Sequence, residues 1–547
     1  MRKALVILVI TLAIVVRVWN IELAPPSLNW DEVSHGYNAY SILKTGHDEW
    51  GVKWPIIFKA YGDFKLPVYV YLTVASEALF GLSPLSVRLP SVLAGVFTVI
   101  FSYLLVKKLF KDEKTAVLSS LLVAIEPWSL FLSRAALEAN VALAAIVSGL
   151  YFLLLGIEKK SRSLLAGVIL LGFSVWTYNS ARIFVPLLLL AITLIHKTEF
   201  ISIIKNKKPL ATICILLATV FLVPMFVQLS QSIGLARYGN VQILDSGAIG
   251  EIERLRTDHN FVFERLIFNK GTYFAFQFVK NYFSHFSPNF LFIKGGSHYQ
   301  FSVPDFGVIY LVNAPFFILG LYRIFKNRAT KEASLILVWL FAAPIASSLT
   351  REAPHVLRSI IFIPLPMVLS AVGINYLIER FNRLNWLWSV YLILVLISFA
   401  DYFNVYVKEY RTNYSWSWQY GYEDVVKILK PEYANYEKFV ITKKYGEPHE
   451  FILFYWPWPP KDYQEESGKI SYFQSNWYWT DKFDKFYFVN DWDIPKIGSE
   501  FVLESGATFD CASCLLVTSP GNAPENWNKL DSIYFLDGKL AFEIYEH

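Results

Sequence analysis

Stretches of mostly apolar residues, each about as long as a bilayer is thick, recur along the first 402 residues of the chain. A helix needs roughly 20 such residues to cross a hydrocarbon core of about 30 Å. The pattern predicts a polytopic α-helical membrane protein with about eleven transmembrane helices. The stretches lie at residues 3–20, 86–106, 115–133, 137–157, 163–179, 182–196, 209–229, 304–322, 332–350, 359–378 and 385–402.

The composition argues against several other classes of protein. Of the 547 residues, 54% are hydrophobic and only 17% are charged, whereas soluble proteins usually carry nearer a quarter charged residues. A net charge of +5 without a basic, aromatic-interleaved patch gives no indication of a nucleic-acid partner. Three cysteines are too few for a disulfide-rich scaffold. We therefore expect the lipid bilayer to be a main partner of the chain.

Lysine and arginine are distributed unequally between the loops on alternate sides of the apolar stretches. Basic clusters near residues 2–3, 107–114, 159–162, 197–208, 323–331 and 380–383 all fall on one side. Since cytoplasmic loops carry the excess of basic residues, the N-terminus is predicted to be cytoplasmic in a multi-pass plasma-membrane protein. An odd number of spans then places the C-terminus outside the cell.

The composition changes after Ala400, where the chain becomes rich in aromatic and charged residues and has no further apolar stretch. We predict a transmembrane domain at residues 1–402, with outer loops 21–85 and 230–303. Residues 403–547 are predicted to form an extracytoplasmic soluble α/β domain. Its predicted elements are a helix near 421–430, strands at Lys438–Thr442, Phe486–Asn490 and Leu515–Thr518, and a hairpin through Asp537-Gly538.

Charged residues near the ends of the apolar stretches fall mainly on the predicted outer side. Because a charge in lipid is costly, such residues indicate function. Carboxylates mixed with basic groups on one face favour a site for an anionic lipid headgroup with acid–base chemistry, rather than a channel or a transporter. The motifs are Asn29-Trp30-Asp31-Glu32, Tyr61-Gly62-Asp63-Phe64-Lys65-Leu66-Pro67, Ser133-Arg134 with Glu138-Ala139-Asn140, Tyr178 with Ser180-Ala181-Arg182, His285-Phe286-Ser287-Pro288, and Pro354-His355 with Arg358.

Residues 1–402 resemble the GT-C membrane glycosyltransferases of family 39. The resemblance rests on the order of these motifs, on their position on one side of the membrane, and on the additional motif Arg88-Leu89-Pro90-Ser91. That family includes protein O-mannosyltransferases and lipid A aminoarabinose transferases. The resemblance implies a GT-C-like fold and an inverting enzyme that moves a single hexosyl or pentosyl unit from a polyprenyl-phosphate donor. The implied acceptor lies on the outer membrane face and is a protein, a lipid or a polysaccharide of the cell envelope.

Asp31 is the candidate catalytic base for the acceptor hydroxyl. Because it lies beside Glu32 and near a low-dielectric interface, we expect its pKa to be raised toward a useful value. Glu32 is the second candidate, expected to tune Asp31 or to bind the acceptor. The structural alternative is a solvated acidic turn.

A departing phosphate gains negative charge, so the reaction needs fixed cations around it. Two of the candidate residues also have a purely structural interpretation. Arg134 could form an i,i+4 ion pair with Glu138, and Arg182 could extend its side chain to the membrane interface. An interfacial helix predicted at residues 68–81 is a candidate wall of the groove for the prenyl chain. The candidate donor phosphate-binding residues are Lys65, Arg134, Arg182, Arg358 and Tyr61.

Two further pairs of residues suggest other chemistry. The resemblance implies a divalent metal near Asp63 and His285, but two ligands are fewer than the three that a catalytic site normally supplies. A hydrogen-bonding role is the alternative for both. Cys511 and Cys514 are predicted to form a structural disulfide, since no second ligand pair for zinc is available outside the apolar stretches.

Other functions remain alternatives to this glycosyltransferase. An oligosaccharyltransferase-like enzyme shares the broad architecture, but its family carries a Trp-Trp-Asp motif, and the nearest string here is Asp491-Trp492-Asp493. A polyprenyl-sugar transporter or flippase needs charges deep within its spans, and almost none are found. A non-catalytic polymer-binding protein could use the tryptophans of the C-terminal domain, which we expect mainly to form its core.

Overall fold

The computed structural model describes residues 2–259, 263–381, 384 and 386–547, which form two compact units. The first unit comprises residues 1–19 with 91–403, and the second comprises residues 20–90 with 404–547. The predicted outer loop 21–85 therefore belongs to the same unit as the C-terminal chain. The boundary between the two segments at residues 90 and 91 falls within helix Pro84–Phe110, at its internal proline.

Every apolar stretch predicted from the sequence contains a helix. Helices satisfy all their backbone hydrogen bonds internally, which is what a lipid environment requires. The helices of the first unit, including those that extend across its limits, are Arg2–Val18, Pro84–Phe110, Glu113–Ile125, Pro127–Leu132, Glu138–Lys159, Ser163–Val175, Asn179–Ile195, Lys197–Asn206, Lys208–Leu229, Ser232–Val241, Ser246–His259, Glu264–Ile267, Lys270–Ser284, Ala314–Lys326, Lys331–Ala342, Ile345–Ser348, Leu365–Arg380 and Trp386–Val405.

Within the described residues, six helical segments are long and apolar enough to cross a membrane, or up to seven if one bent pair counts as a span. The predicted count of about eleven is not confirmed. The bent pair is Asn179–Ile195 with Lys197–Asn206, at 84°. The six segments are Pro84–Phe110, Glu138–Lys159, Lys208–Leu229, Lys331–Ser348, Ile360–Arg380 and Trp386–Asn413.

One predicted span is divided into two helices at a buried carboxylate followed by a proline. Helix Glu113–Ile125 ends at Glu126, which is fully buried and precedes the proline that starts helix Pro127–Leu132. The Glu126 carboxylate accepts hydrogen bonds from the backbone N–H of Tyr310 at 2.8 Å and from the Asn313 side chain at 2.5 Å. The predicted span at 115–133 is therefore two shorter helices tied to a distant segment.

The second unit is built around a mixed sheet of seven strands, of which the central three are parallel. Lys438–Thr442 lies between the other two parallel strands, with Phe439 opposite both Phe486 and Leu515. These strands are buried almost throughout, as expected when both faces of a sheet are covered. In spatial order the strands are Asn528–Tyr534, Leu540–Glu546, Cys514–Thr518, Lys438–Thr442, Phe486–Val489, Trp477–Phe483 and Ile470–Gln474.

The predicted strands and hairpin of the C-terminal domain are confirmed, as is the predicted helix, which spans Tyr422–Leu429. The chain between residues 20 and 90 adds helices Trp30–Thr45 and Pro67–Phe80 and a hairpin of strands Phe58–Lys59 and Phe64–Lys65. Cys511 and Cys514 are joined by a disulfide. Further elements of the unit include helices Pro448–Tyr455 and Pro460–Glu465 and the strand pair Glu500–Val502 with Thr508–Asp510.

A cluster of buried carboxyl groups lies inside the second unit, where helix Trp30–Thr45 packs against helix Pro448–Tyr455. Glu49 is hydrogen-bonded to the carboxyl of Glu450 and accepts a 3.0 Å hydrogen bond from Asn38. Burial raises the pKa of Glu49 to about 7, and it raises the pKa of Glu450 as well. Two carboxyl groups can share a hydrogen bond only if one keeps its proton, so this pair holds a proton near neutral pH.

Two further titratable side chains border this pair. Burial raises the pKa of Glu447 to about 8 and lowers the pKa of His449 to about 3. The His449 ring lies between them, 3.4 Å from the Glu447 carboxylate and 3.7 Å from that of Glu450. The carboxyl groups therefore favour their protonated forms and the imidazole its neutral form.

We expect the second unit to lose stability as the pH rises. A carboxyl whose pKa is raised by folding binds its proton more tightly in the folded state, so ionisation of the unfolded chain is favoured from about pH 4.5 upward. The loss should continue until the folded groups ionise near pH 7 for Glu49 and pH 8 for Glu447. Apparent melting temperatures of the purified chain, determined between pH 5 and pH 9, measure this loss of stability.

Glu49→Gln should make this pH dependence shallower, because it removes one of the carboxyl groups. The exposed carboxylate Glu423, paired with Lys427 at 2.8 Å, provides the control variant Glu423→Gln, which should keep the wild-type slope. Equal slopes for wild type and Glu49→Gln would contradict this account of the cluster.

Candidate active site

The helix that carries Asp31 begins at a capped N-terminus. The Asn29 side chain accepts from the backbone N–H of Glu32 at 3.0 Å, and the Glu32 carboxylate accepts from the backbone N–H of Asn29 at 3.1 Å. This reciprocal capping box satisfies two N–H groups that the first turn would otherwise leave open. The backbone of Asp31, which lies in the same turn, is therefore held in place.

A second contact holds Glu32 from the side. Arg88 and Glu32 are both completely buried and form a two-point ion pair, with N–O distances of 2.9 and 3.1 Å. The Arg88 guanidinium also donates to the carbonyl oxygens of Ile21, Pro25 and Ser27, at 2.7, 3.2 and 2.5 Å. One guanidinium thus joins the start of helix Pro84–Phe110 to the segment that leads into the Asp31 helix.

The predicted charges of the first outer loop meet in one ion pair. Asp31 lies 2.7 Å from the ammonium of Lys65, with 40% of the Asp31 side chain and 15% of the Lys65 side chain exposed. Lys65 reaches this position because its short strand pairs with Phe58–Lys59, with Phe58 opposite Lys65. The ammonium of Lys65 therefore fixes the orientation of the Asp31 carboxylate.

Tyr61 and Asp63 lie in the turn of the same hairpin. The Tyr61 hydroxyl donates to the Trp30 carbonyl at 2.9 Å, and its ring stacks on Trp477 at 5.6 Å. Burial raises the pKa of this hydroxyl well above its ordinary value. Tyr61 is therefore a support for the residue next to Asp31, and its predicted contact with phosphate gains no support.

Two of the predicted arginines line one cleft in the first unit. Arg182 and Arg358 border a cavity of about 240 Å³ whose other walls include the apolar residues Ile183, Leu229 and Leu349. Arg182 donates to the Val175 carbonyl at 3.0 Å and to the Gln228 side chain at 2.5 Å. The arrangement combines guanidinium groups with apolar walls, and we call it the apolar cleft.

Arg134, in contrast, lies fully buried among helix ends. Its guanidinium donates to the carbonyl oxygens of Val16 at 2.5 Å and Trp19 at 2.8 Å, at the C-terminal end of helix Arg2–Val18. A cation at a helix C-terminus compensates the open carbonyl groups there. This arrangement supports the end of helix Arg2–Val18, and the predicted contact of Arg134 with donor phosphate stays a prediction.

His285 is also engaged within the fold. Its Nδ1 lies 2.8 Å from the Asn281 carbonyl and its Nε2 lies 2.8 Å from the Ser347 hydroxyl. Burial lowers its pKa to about 4, so the ring is neutral. Across the described residues, no three His, Cys, Asp or Glu side chains are arranged to hold a metal ion. The metal site predicted at Asp63 and His285 gains no support from this geometry.

The supporting residues Arg88 and Trp477 were missed as site residues from the sequence. The position of Arg88 in the sequence could have indicated its role, since a guanidinium at the start of a long apolar helix needs a buried partner. Trp477 carried none, because its contact with Tyr61 joins residues more than 400 positions apart.

Comparisons with known proteins bear on the fold and on part of the chain. Residues 65–227 match the family model described as dolichyl-phosphate-mannose-protein mannosyltransferase. This range contains Lys65, Arg88, Arg134 and Arg182. No curated protein matches the sequence.

Solved structures match the chain over most of its length. One is the archaeal oligosaccharyltransferase AglB from Archaeoglobus fulgidus, in complex with an inhibitory peptide and a dolichol-phosphate, with a TM-score of 0.52 and 15% identity. The match covers 83% of this chain but only 63% of AglB. ArnT from Cupriavidus metallidurans in the apo state also matches, with a TM-score of 0.52, 15% identity and coverage of 84% and 85%. These matches confirm the predicted fold class, and the family model that matches residues 65–227 supports the resemblance to GT-C enzymes.

The buried ion pair gives a prediction for stability. Glu32→Gln leaves the Arg88 guanidinium buried without its carboxylate, and we expect this variant to lose about 3–5 kcal/mol of unfolding free energy. Adding Arg88→Met removes both charges and should recover much of that loss. Apparent melting temperatures of the purified variants measure the effect.

The matched control is a surface ion pair in the same unit. Glu423→Gln with Lys427→Met should change stability by less than about 1 kcal/mol, since exposed pairs contribute little. A Glu32→Gln variant as stable as wild type would show that the buried pair does not hold this segment.

Proposed function

We propose that this membrane protein of the GT-C glycosyltransferase fold transfers a single sugar, with inversion, from a polyprenyl-phosphate donor to an acceptor on the outer membrane face. Asp31 acts as the base. Arg182 and Arg358 bind the donor phosphate and stabilise it as it leaves. The N-terminus lies in the cytoplasm, and the acceptor is a protein, a lipid or a polysaccharide.

The apolar cleft is the observation that carries this proposal. A polyprenyl phosphate joins a long apolar chain to a single anionic group, and the cleft offers apolar walls beside Arg182 and Arg358. Guanidinium groups bind phosphate oxygens in a two-point geometry. Where water is largely excluded, such charges act more strongly than they do in bulk solvent. The apolar walls of the cleft therefore suit the prenyl chain of the donor, and its two arginines suit the phosphate.

The chemistry requires one proton transfer and one substitution at the sugar. The Asp31 carboxylate takes the proton of the acceptor hydroxyl as the acceptor oxygen bonds to the anomeric carbon. The bond from that carbon to the phosphate oxygen breaks on the opposite side, and its electron pair stays on the phosphate. The phosphate gains a second negative charge, which Arg182 and Arg358 offset without reorganisation.

The other predicted site residues support Asp31. Lys65 orients its carboxylate, at 2.7 Å. Glu32 with Arg88 fixes the first turn of its helix, and Tyr61 fixes the neighbouring Trp30 carbonyl. A base held in this way loses little freedom when the acceptor arrives, which is the condition for efficient general base catalysis.

Asp31→Asn should lower transfer at least a hundredfold, because the amide cannot accept the proton. The assay uses membranes that contain the full chain and a radiolabelled polyprenyl-phosphate mannose, and it follows label leaving the lipid. Donor retention by the purified variant should stay within about twofold of wild type.

Asp424→Asn is the matched control, since Asp424 is 45% exposed and also lies near a lysine, 3.4 Å from Lys427. This variant should transfer sugar at the wild-type rate. Undiminished transfer by Asp31→Asn would remove Asp31 as the base.

A further inference from the structure

A short helix of the first unit joins two apolar helices and turns away from the first of them. Helix Lys197–Asn206 follows helix Asn179–Ile195 at a bend of 84° and leads into the apolar helix Lys208–Leu229. It packs against both of these helices and against helix Glu138–Lys159. A helix that turns through almost a right angle between two apolar neighbours is placed to lie along the membrane surface rather than across the bilayer.

One face of this short helix packs against the protein, and the opposite face is exposed. Ile203 is buried, whereas Ile201 and Ile204 are 50% and 54% exposed. Lys197 and Lys205 are also exposed and lie four positions before and after Ile201. Because residues three or four positions apart share a helix face, these isoleucines and lysines lie on the same side. Apolar side chains flanked by lysines are typical of a helix at the boundary between lipid headgroups and acyl chains.

The exposed face belongs to a larger group of basic residues. Lys160, in the loop that follows helix Glu138–Lys159, donates to the Ser202 hydroxyl at 2.8 Å and so joins that loop to the short helix. The exposed basic residues of the loop and of residues 197–208 form what we call the basic surface. Its members are Lys159, Lys160, Arg162, Lys197, Lys205, Lys207 and Lys208.

The carboxylates in these two segments are engaged by other lysines. Glu199 pairs with Lys331, and Glu158 pairs with Lys108. Within the part of the chain that the structure describes, no ion pair involves a member of the basic surface. Its positive charge is therefore left for a partner outside the chain.

The basic surface is separate from the apolar cleft. Arg182 of the apolar cleft lies in the first turn of helix Asn179–Ile195, whereas the basic surface includes the chain that follows the end of that helix. A helix of 17 residues is roughly 25 Å long. The two groups of cations therefore lie at opposite ends of one helix and bind different molecules.

We propose that the basic surface binds the headgroups of anionic phospholipids in the bilayer, with Ile201 and Ile204 inserted among the adjoining acyl chains. The partner is a membrane surface because the exposed face combines apolar side chains with cations, and an anionic lipid offers acyl chains together with negative charge. In the topology proposed above, this surface faces the cytoplasmic leaflet, where anionic lipids attract basic segments next to a span.

The first test measures how tightly the purified full-length chain in detergent micelles binds fluorescently labelled phosphatidylglycerol. The variant that combines Lys197→Gln, Lys205→Gln and Lys208→Gln should bind this lipid about tenfold more weakly, because each lysine adds to the attraction of the anionic headgroup. Its affinity for labelled phosphatidylcholine, which has no net charge, should stay within twofold of wild type. Added salt should weaken the binding of phosphatidylglycerol to wild type, since these charges are exposed.

The matched control replaces three exposed lysines of the second unit with glutamine, which gives the same change in net charge. This variant combines Lys444→Gln, Lys461→Gln and Lys496→Gln and should bind phosphatidylglycerol as wild type does. Equal losses in the two triple variants would show that net charge alone determines the affinity and would overturn the proposal. Unchanged binding by the first triple variant would overturn it as well.

A fluorescent label at position 201 tests the insertion into lipid. The label is attached to Ile201→Cys in a chain that also carries Cys214→Ala, since Cys511 and Cys514 are joined in a disulfide. In bilayers that contain phosphatidylglycerol, phospholipids with brominated acyl chains should quench this label and leave a label on Lys461→Cys unquenched. A label at position 201 that is not quenched would contradict the position of the helix. Neither measurement depends on sugar transfer, so failure here leaves the proposed function standing.

Discussion

The buried Arg88 guanidinium is the contact on which the candidate base depends. It reaches the Glu32 carboxylate and three backbone carbonyl groups at once, and all of these partners lie in residues 21–32. A buried charge is tolerated only when it is paired and hydrogen-bonded. In this arrangement the helix beginning at Trp30 is capped and Asp31 faces Lys65. The proposed base is thus held by neighbours that are themselves hydrogen-bonded.

Much of the fold could be predicted from the sequence, since apolar periodicity and length determine helices in lipid. The strands Lys438–Thr442 and Cys514–Thr518 were equally readable, as short apolar runs between turns. Trp477–Phe483 and its partner were not, because their turn uses Ser475 and Asn476 in left-handed conformations, at φ values of 53° and 60°. Such turns are usually marked by glycine. The division of the apolar run 115–133 into two helices at Glu126 could not be predicted, since its buried carboxylate bonds to residues 310 and 313.

The residues of the candidate site were also only partly predictable from the sequence. Asp31 and Lys65 could be identified because both are charged residues of one outer loop, and short-range pairing then brings them together. The contacts of Arg134 could not be predicted, since the sequence does not show that its guanidinium meets the carbonyl groups of residues 16 and 19. The apolar cleft depends on contacts between residues far apart in the chain. A single sequence shows which side chains are present but not which of them come into contact.

A structure with bound polyprenyl phosphate would show whether the arginines of the apolar cleft bind the donor. We expect the lipid chain to lie in the apolar cleft and the phosphate oxygens to be within hydrogen-bonding distance of Arg182 or Arg358. A phosphate bound elsewhere, with both guanidinium groups still occupied by their present partners, would contradict it.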